Sequence, residues 1–281
     1  MRCPTASADL AVVTEALEFT YPPPRRIQAL KGVTVRIPAA ELVAVVGQNG
    51  SGKTSLARCI SGYLRPTRGS VRVGGRDIGR LRPSERARLV GYVFQNPDHQ
   101  LCRERVWDDV AFGLWNLGVE PAAVTPAVEE VLRRLELWDK RDLHPFQLSR
   151  GDRQRLAIAS IIVMRPRVLI VDEPTTGQDP ARSREIMDLL ARLNAEQGTT
   201  ILTITHVMEL VAEYARWVIV MHDGRLLLEG TPRDVFARAD ELRVTRISPP
   251  PVARLGLHLG LQPLPITVDE ATQAILRRLQ A

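Results

Sequence analysis

The residues from Gly47 to Thr54 have the types and spacing of a loop that binds phosphate groups. They follow an apolar run, LVAVV, and precede a helical pattern, SLARCISGYL, which is the context that such a motif requires. Glycines let the backbone wrap around phosphates, and the loop N–H groups lie at a helix N-terminus that favours anions. Lys53 would reach the outer phosphates and Thr54 would hold Mg²⁺, whereas a chance glycine turn is the alternative. The predicted phosphate-binding residues are Gly47, Gln48, Asn49, Gly50, Ser51, Gly52, Lys53 and Thr54.

Two adjacent carboxylates follow a second apolar run in the segment VLIVDEP. Asp172 and Glu173 are therefore expected at the carboxyl edge of a buried strand, where α/β sheets bind their ligands. Asp172 would support the Mg²⁺ site directly or through water. Glu173 would polarise the attacking water as a general base. Many strands end in a capping Asp, so this prediction depends on its combination with the phosphate loop.

A third motif, LSRGD from Leu148 to Asp152, leads into the stretch RQRLAIAS. With this motif the sequence resembles the ATP-binding cassette (ABC) ATPases, whose usual signature is LSGGQ. Arg150 and Asp152 stand where the family has Gly and Gln. The resemblance implies that Ser149 and Gly151 contact the γ-phosphate of an ATP bound by a second subunit. Arg150 either adds positive charge near that phosphate or points outward, and an ordinary helix cap is the alternative for Ser149.

Four further positions match this family, whose pattern covers most of residues 10–235. Tyr21 resembles the aromatic residue that stacks on adenine, although a tyrosine packed into a strand is the alternative. Gln95 resembles the glutamine that links Mg²⁺ and the attacking water to a helical insertion. Asp179 resembles the loop aspartate that couples the two sites of a dimer. His206 resembles the switch histidine that senses the γ-phosphate, although a histidine at a strand end is otherwise usually structural.

The segment after Gln95, NPDHQLCRERVWDDVAFGLWNLG, narrows the resemblance to the energy-coupling factor (ECF) and cobalt-importer ATPases. An apolar stripe recurs in it at helical spacing. The stripe is either the core of the insertion alone, or part of it forms a groove that receives a coupling helix from a membrane subunit. The C-terminal LPITVDEATQAI resembles the short appendix of those ATPases, which implies a role in stabilising a dimer. The stripe consists of Val106, Val110, Ala111, Leu114 and Trp115.

The elements that must position these residues alternate between apolar runs and helical patterns, which predicts a three-layer α/β core. Runs such as LVAVV, VGYVF, VLIV, TILTI and WVIVM suit strands that are buried on both faces of a parallel sheet. The pieces LAVVT, LEFTY and VTVRI, with a β-hairpin at 70–79, predict a small antiparallel layer. The resemblance implies an α/β P-loop NTPase fold of the ABC ATPase type. It has a parallel-sheet core, an antiparallel β subdomain, a helical insertion and a short C-terminal appendix.

Two units are expected along the chain: an ABC ATPase domain over 1–240, with its helical subdomain at about 97–165, and a small C-terminal appendix over 241–281. Thr231 should cap a helix whose first residue is Pro232. Three prolines at 249–251 mark a linker, and a capping box from Thr267 to Glu270 should open the last of one or two helices in the appendix. Residues 1–9 are expected to form a loose leader.

The composition is that of an ordinary globular protein, with 281 residues, 44% hydrophobic and 25% charged, and a formal net charge of +6. The three cysteines form no disulfide or zinc-binding pattern, so a reducing compartment is expected. A spanning helix needs about 20 apolar residues. All apolar runs are shorter, so the chain is not expected to cross a membrane. Its scattered arginines do not interleave with aromatic residues as on a nucleic-acid-binding surface.

The resemblance implies an ATP-binding and hydrolysing subunit that powers an ECF-type importer of a vitamin or metal ion, with ATP and Mg²⁺ bound. The expected location is peripheral, at the cytoplasmic face of the cell membrane. Expected partners are a transmembrane coupling subunit, a small substrate-binding membrane subunit and a second ABC ATPase chain, identical or paralogous, in a head-to-tail dimer. No nucleic acid is expected.

Two kinds of alternative remain open. One is an ABC ATPase of another transporter class, or a non-transport ABC ATPase that acts on nucleic acid or ribosomes. The interval between Lys53 and Leu148 holds no heptad run, unlike that of the DNA-repair relatives. The other is a nucleotide-dependent scaffold without enzymatic activity, against which the Asp172–Glu173 pair and His206 argue.

Overall fold

The computed structural model describes residues 9–24 and 26–280, so nearly all of the expected leader lies outside the described residues. Ten strands and eleven α-helices occur in this part of the chain, joined by loops and short 3-10 turns. In chain order the elements are β1 (Leu10–Thr20), β2 (Gln28–Pro38), β3 (Leu42–Val46), α1 (Lys53–Ile60), β4 (Arg68–Val73), β5 (Arg76–Asp77), α2 (Pro83–Leu89), β6 (Val90–Val93), α3 (Val106–Asn116), α4 (Pro121–Arg134), α5 (Arg150–Ile162), β7 (Val168–Asp172), α6 (Pro180–Gln197), β8 (Thr200–Ile204), α7 (Met208–Tyr214), β9 (Trp217–His222), β10 (Arg225–Gly230), α8 (Pro232–Ala237), α9 (Ala239–Arg243), α10 (Pro251–His258) and α11 (Val268–Gln280).

Six of the strands form a central sheet in the order β10-β9-β3-β8-β7-β6. The five strands from β9 to β6 are parallel, and only β10 runs antiparallel to its neighbour. Every residue of β3, β6, β7 and β8 is buried, because helices or the second sheet cover both faces. The predicted parallel core is confirmed.

Alternate residues of one strand show how this sheet separates two hydrophobic cores. Leu169 and Val171 pack with the helices between β6 and β7. Val168 and Ile170 pack on the other side, with α1 and the antiparallel sheet. The layers therefore hold the carboxyl ends of the parallel strands in one fixed row.

The antiparallel sheet has the order β2-β1-β4-β5, and the predicted hairpin at 70–79 is its β4–β5 pair. The prediction of LAVVT and LEFTY as separate pieces was wrong, because both belong to the single strand β1. The pairing register shifts between Thr14 and Leu17, and Ala16 has a φ of 42°. This bulge changes the direction of the strand without ending it. The sequence therefore shows two short runs where the structure has one strand.

The stretch from 97 to 165 contains α3, α4 and α5 and no strand. The apolar stripe on α3 is mostly core: Val106, Val110 and Ala111 are fully buried, Leu114 is nearly so, and only Trp115 is exposed. The hypothesis that part of this stripe forms a groove for a coupling helix is therefore wrong for its buried members and remains a prediction for Trp115. The other hypothesis, that the stripe forms the insertion's core, is correct for them. The boundaries of the helical subdomain remain a prediction.

The C-terminal segment contains α9, α10 and α11, one helix more than expected, and α9 crosses the predicted boundary at 240. Thr231 caps α8 as predicted, through its side chain and the Asp234 N–H. At α11 the Thr267 hydroxyl accepts from the Glu270 N–H at 3.4 Å. The Glu270 carboxylate accepts from the Ile266 N–H at 2.8 Å, instead of closing the expected capping box on Thr267. No helix of the described residues is long and apolar enough to span a bilayer.

Candidate active site

The carboxyl ends of four neighbouring strands deliver the predicted catalytic and phosphate-binding residues to one edge of the sheet. The phosphate loop follows β3, and His206 follows β8. Asp172 is the last residue of β7, with Glu173 directly after it, and Gln95 lies two residues beyond β6. These parallel strands are adjacent, so residues far apart in sequence meet at the place where α/β sheets bind ligands.

The side chain of Lys53, the first residue of α1, turns back over the phosphate loop. Its ammonium donates to the carbonyl oxygens of Gly47 at 2.7 Å and Gln48 at 2.9 Å, and the residue is buried. Burial lowers the pKa of Lys53, and the negative charges of Glu173 and Asp172 oppose that shift. The ammonium is therefore close to both carboxylates and is fixed in a partly desolvated site, where its attraction to an anion is strengthened.

The phosphate loop is pressed against two other parts of the chain. Gly52 has a φ of 102°, and a Cβ there would lie 2.6 Å from the Ala29 carbonyl oxygen. The Gly224 N–H, in the turn between β9 and β10, donates to the Ser51 carbonyl at 3.0 Å. The Ser51 hydroxyl is buried and has no hydrogen-bond partner among the described residues. This buried hydroxyl can therefore donate a hydrogen bond to an oxygen-rich anion, so the loop fits a nucleotide phosphate.

Asp172 supplies the buried carboxylate of the site. Its Oδ2 accepts from the Tyr92 hydroxyl at 2.7 Å. Burial raises the pKa of Asp172, and so does the charge of Glu173, whereas hydrogen bonds from Tyr92 and Thr54 lower it. The Thr54 hydroxyl and the Asp172 carboxylate are hard oxygen donors of the kind that Mg²⁺ prefers.

No group of three or more His, Cys, Asp or Glu side chains could hold a metal anywhere in residues 9–24 and 26–280. A Mg²⁺ bound by one or two protein oxygens and by substrate phosphates needs no such group. The residues present therefore fit a Mg²⁺ that is bound together with a nucleotide.

Glu173 is held by three neighbours. Its Oε2 accepts from the Gln95 amide at 2.8 Å and from the Thr176 hydroxyl at 2.9 Å, and its Oε1 lies 3.8 Å from His206 Nδ1. The backbone of Glu173 has a φ of 48°, an uncommon value for a residue other than glycine. Such conformations cluster at functional sites, where the surrounding structure enforces them. The structure thus brings together the three residues that were predicted to act in catalysis.

The signature residues begin α5. Ser149 is the N-cap: its hydroxyl accepts from the Asp152 N–H at 3.2 Å and lies 2.9 Å from Asp152 Oδ2. Lys140 donates to the same carboxylate oxygen at 2.7 Å. Although burial alone would raise it, hydrogen bonds from Lys140 and Ser149 hold the pKa of Asp152 below its ordinary value. Ser149 is thus a helix cap in this structure, and its contact with a partner's phosphate, like that of Gly151, remains a prediction.

Arg150 reaches a loop of its own chain. Its Nη2 donates to the Thr176 carbonyl at 2.9 Å, in the segment between Glu173 and Asp179. From the sequence, Arg150 was expected either to add positive charge near a phosphate or to point outward. Neither interpretation included this contact. No periodicity or motif indicates it, because it joins segments 26 residues apart through the tertiary fold.

Two other predicted residues have clear structural contacts. The Tyr21 hydroxyl lies 3.1 Å from Ser55 Oγ, and its ring packs edge-on against Phe19 with centroids 4.9 Å apart. Asp179 is the N-cap of α6 and accepts from the Arg182 N–H at 3.0 Å. The stacking of Tyr21 on adenine and the coupling role of Asp179 remain predictions.

Sequence reasoning missed Tyr92 and Thr176, which bind the two carboxylates of the site. For Tyr92 a signal existed, because a tyrosine inside a buried apolar strand needs a partner for its hydroxyl. For Thr176 no signal existed beyond its place in the loop after Glu173.

Comparison with known proteins agrees with this geometry. Residues 30–176, just over half of the chain, match the family described as ABC transporter. The energy-coupling factor transporter ATP-binding protein EcfA2 of Symbiobacterium thermophilum is 41% identical over 276 residues, covering 95% of this chain and 96% of that protein. Other relatives are longer: the chain spans 44%, 38% and 42% of the length of the first three curated proteins that it matches.

Two solved structures have the same fold. CbiO1 of Clostridium perfringens, part of the ABC transporter complex CbiONQ, is 34% identical with a TM-score of 0.75, covering 90% of this chain and 100% of that one. The ATP-binding cassette MJ0796, in a dimeric post-hydrolysis state bound to ADP and Pi, is 28% identical with a TM-score of 0.71, covering 79% and 99%. Sequence, site geometry and fold therefore agree, and the chain belongs to the ABC transporter family, as an ATP-binding protein of the energy-coupling factor type.

Proposed function

We propose that the chain binds ATP with Mg²⁺, hydrolyses the ATP to ADP and phosphate, and powers an ECF-type importer of a vitamin or metal ion. The observation that carries this proposal is the Glu173 carboxylate. Gln95 and Thr176 hold it at 2.8 and 2.9 Å, next to Asp172 and within reach of His206. An oriented general base beside a buried carboxylate and a phosphate loop is the arrangement that phosphoryl transfer to water requires.

Each residue has a separate task in the proposed reaction. Lys53 and the loop N–H groups bind the phosphates and stabilise the charge that develops on them. Thr54 and Asp172 would hold Mg²⁺, which neutralises phosphate charge when it is bound. Glu173 takes a proton from the attacking water, and Gln95 fixes the direction of the carboxylate. His206 stands on the open side of Glu173, with a largely exposed side chain, where it would contact the γ-phosphate.

A head-to-tail dimer would complete the site. Ser149 and Arg150 are exposed at the N-terminus of α5, and Gly151 beside them is half-buried. This terminus favours an anion, because its first N–H groups have no partner within the helix. The dimeric state of the cassette MJ0796 with ADP and Pi supports this assembly. In the proposed dimer each ATP lies between one chain's phosphate loop and the other's Ser149–Gly151 segment.

The proposed contact with the membrane subunit is a groove of about 720 Å³ beside α3, which we call the α3 groove. It lies on the half-buried face of that helix, next to the stripe that forms the core. A helix from a coupling subunit would place apolar side chains in such a groove. The membership of CbiO1 in the CbiONQ transporter complex supports partners of this kind. Residues that line the α3 groove include Tyr63, Phe94, Cys102, Phe112, Gly113 and Met164.

The test is purification of the tagged chain from its native membranes in mild detergent, with ATP hydrolysis measured on the complex. Recovery of a polytopic membrane protein and a small membrane protein would support the importer, and the small protein would indicate the substrate. Lys53→Ala should abolish hydrolysis in the same complex, and a wild-type rate would overturn the assigned site. Recovery of ribosomes or DNA-bound proteins instead would overturn transport and leave the ATPase chemistry standing.

A further inference from the structure

The guanidinium of Arg150 is two contacts away from the proposed catalytic base of its own chain. Its Nη2 donates to the Thr176 carbonyl at 2.9 Å. The Thr176 hydroxyl in turn donates to Glu173 Oε2 at 2.9 Å, and the Thr176 N–H donates to the Glu173 carbonyl at 3.2 Å. Arg150 therefore contacts the residue whose hydroxyl binds one oxygen of Glu173.

The loop is shaped to accept this side chain. Gly177, directly after Thr176, has a φ of 72° and no side chain, so the guanidinium lies against its backbone. A Cβ at Gly177 would come within 2.7 Å of Arg150 Nη1. The planar guanidinium carries several donors, so it can bind a carbonyl and cover a flat stretch of backbone at once.

A second arginine on the first turn of α5 contacts the other loop that holds Glu173. Arg153 Nε lies 2.8 Å from Asp98 Oδ1, three residues beyond Gln95, and Arg153 Nη1 donates to the Leu148 carbonyl. Both arginines line a cleft of about 320 Å³ with Gln95 and Thr176. The start of α5 is thus tied to both loops whose side chains bind Glu173.

We propose that Arg150 is a positioning residue that sets the Glu173 carboxylate of its own chain through Thr176. It does not act by binding the phosphate held by the partner. The inference rests on the proposed ATP hydrolysis. In a head-to-tail dimer the two roles fall on different sites, because a chain's Glu173 serves the ATP on its own loop, whereas its Ser149–Gly151 segment serves the partner's ATP. Arg150 therefore couples the signature of one site to the general base of the other.

Mixed dimers separate the two roles. Two differently tagged full-length copies are combined, one carrying Lys53→Ala, so that a single ATP site can hydrolyse. Arg150→Ala is then placed either on the copy with the intact phosphate loop or on the Lys53→Ala copy. Arg150→Lys, which keeps a donor, serves as the conservative variant.

Arg150→Ala on the intact-loop copy should lower kcat about five- to tenfold, as expected for loss of one charge-assisted hydrogen bond, with little change in KM. Arg150→Lys at that place should recover part of the loss. Arg150→Ala on the Lys53→Ala copy should lower kcat less than twofold. A loss confined to that copy would overturn the inference in favour of phosphate contact across the dimer, and equal losses or none would also overturn it.

If the wild-type dimer does not hydrolyse ATP, the proposed function fails. In that case, or if only the mixed dimers with one Lys53→Ala copy are inactive, the inference is decided by a measurement on the single chain. Amide hydrogen exchange at Thr176 and Gln178 should then be at least threefold faster in Arg150→Ala, because the loop has lost its contact with α5. Arg153→Ala, on the same helix turn with partners outside this loop, should not change exchange at these amides. Unchanged exchange in Arg150→Ala would overturn the inference.

Discussion

Tyr92 donates a hydrogen bond of 2.7 Å to Asp172 from the neighbouring strand, so the buried carboxylate is held from inside the sheet. β6 and β7 are parallel with Tyr92 opposite Ile170, and the phenol reaches Asp172, the last residue of β7. The bond opposes the two effects that raise the pKa of Asp172, its burial and the charge of Glu173. One hydroxyl in the core therefore favours the ionised form of the carboxylate that we propose as a Mg²⁺ ligand.

Tyr92→Phe should raise the pKa of Asp172 further, because it removes a hydrogen bond to the charged form. A proposed Mg²⁺ ligand must be ionised, so activity should fall as the pH drops through the pKa of Asp172. We expect the acid limb of the kcat/KM profile to move to higher pH in the variant. At neutral pH the apparent affinity for Mg²⁺ should be about tenfold weaker. Tyr63→Phe, an exposed tyrosine near Tyr92, is the matched control. An unshifted limb would remove Tyr92 from the site.

Glu173→Gln should keep ATP bound and slow its hydrolysis by at least about 100-fold, because the amide cannot take a proton from water. The Gln95 and Thr176 contacts leave the loop in place, so nucleotide binding should persist. Size-exclusion chromatography should then show an ATP-dependent dimer that the wild type forms only transiently. Hydrolysis at the wild-type rate would rule out Glu173 as the general base.

The features that could be predicted from the sequence are those that a short segment determines by itself. The phosphate loop, the hairpin at 70–79 and the Thr231 cap are short segments whose residue types dictate their conformation. Asp172 and Glu173 could be placed because apolar runs predict parallel strands, and such strands end on one edge.

The contacts that could not be foreseen join distant segments. Arg150 and Thr176 lie 26 residues apart, and Tyr92 and Asp172 lie 80 apart. The stripe on α3 shows the same limit, because helical periodicity identifies an apolar face and does not say what covers it. The structure buries Val106 and Val110 against neighbouring helices and leaves a different face of α3 open.

Asp152→Asn should destabilise the start of α5 by about 1–2 kcal/mol at neutral pH, because the ionised carboxylate binds Lys140 and Ser149. The pKa of Asp152 is lowered in the folded chain. Its contribution to stability is therefore complete above the unfolded pKa of about 3.9, and is lost as the pH falls through the folded value. The difference in Tm between wild type and variant should be constant from neutral to weakly acidic pH and should shrink below about pH 4. A difference that does not vary with pH would contradict the ionic part of this role.

Phe112→Ser should release the membrane subunit from the complex. Phe112 lines the proposed α3 groove, with Arg103 over its ring at 4.0 Å, and its replacement by serine removes apolar area from the proposed contact. Co-purification in mild detergent should fall at least about tenfold, while circular dichroism shows that the chain stays folded. Trp115→Ser is the matched control, because Trp115 is an exposed apolar residue on the same helix that does not line the groove. If Trp115→Ser releases the partner and Phe112→Ser does not, the coupling helix binds the face of α3 that carries Trp115.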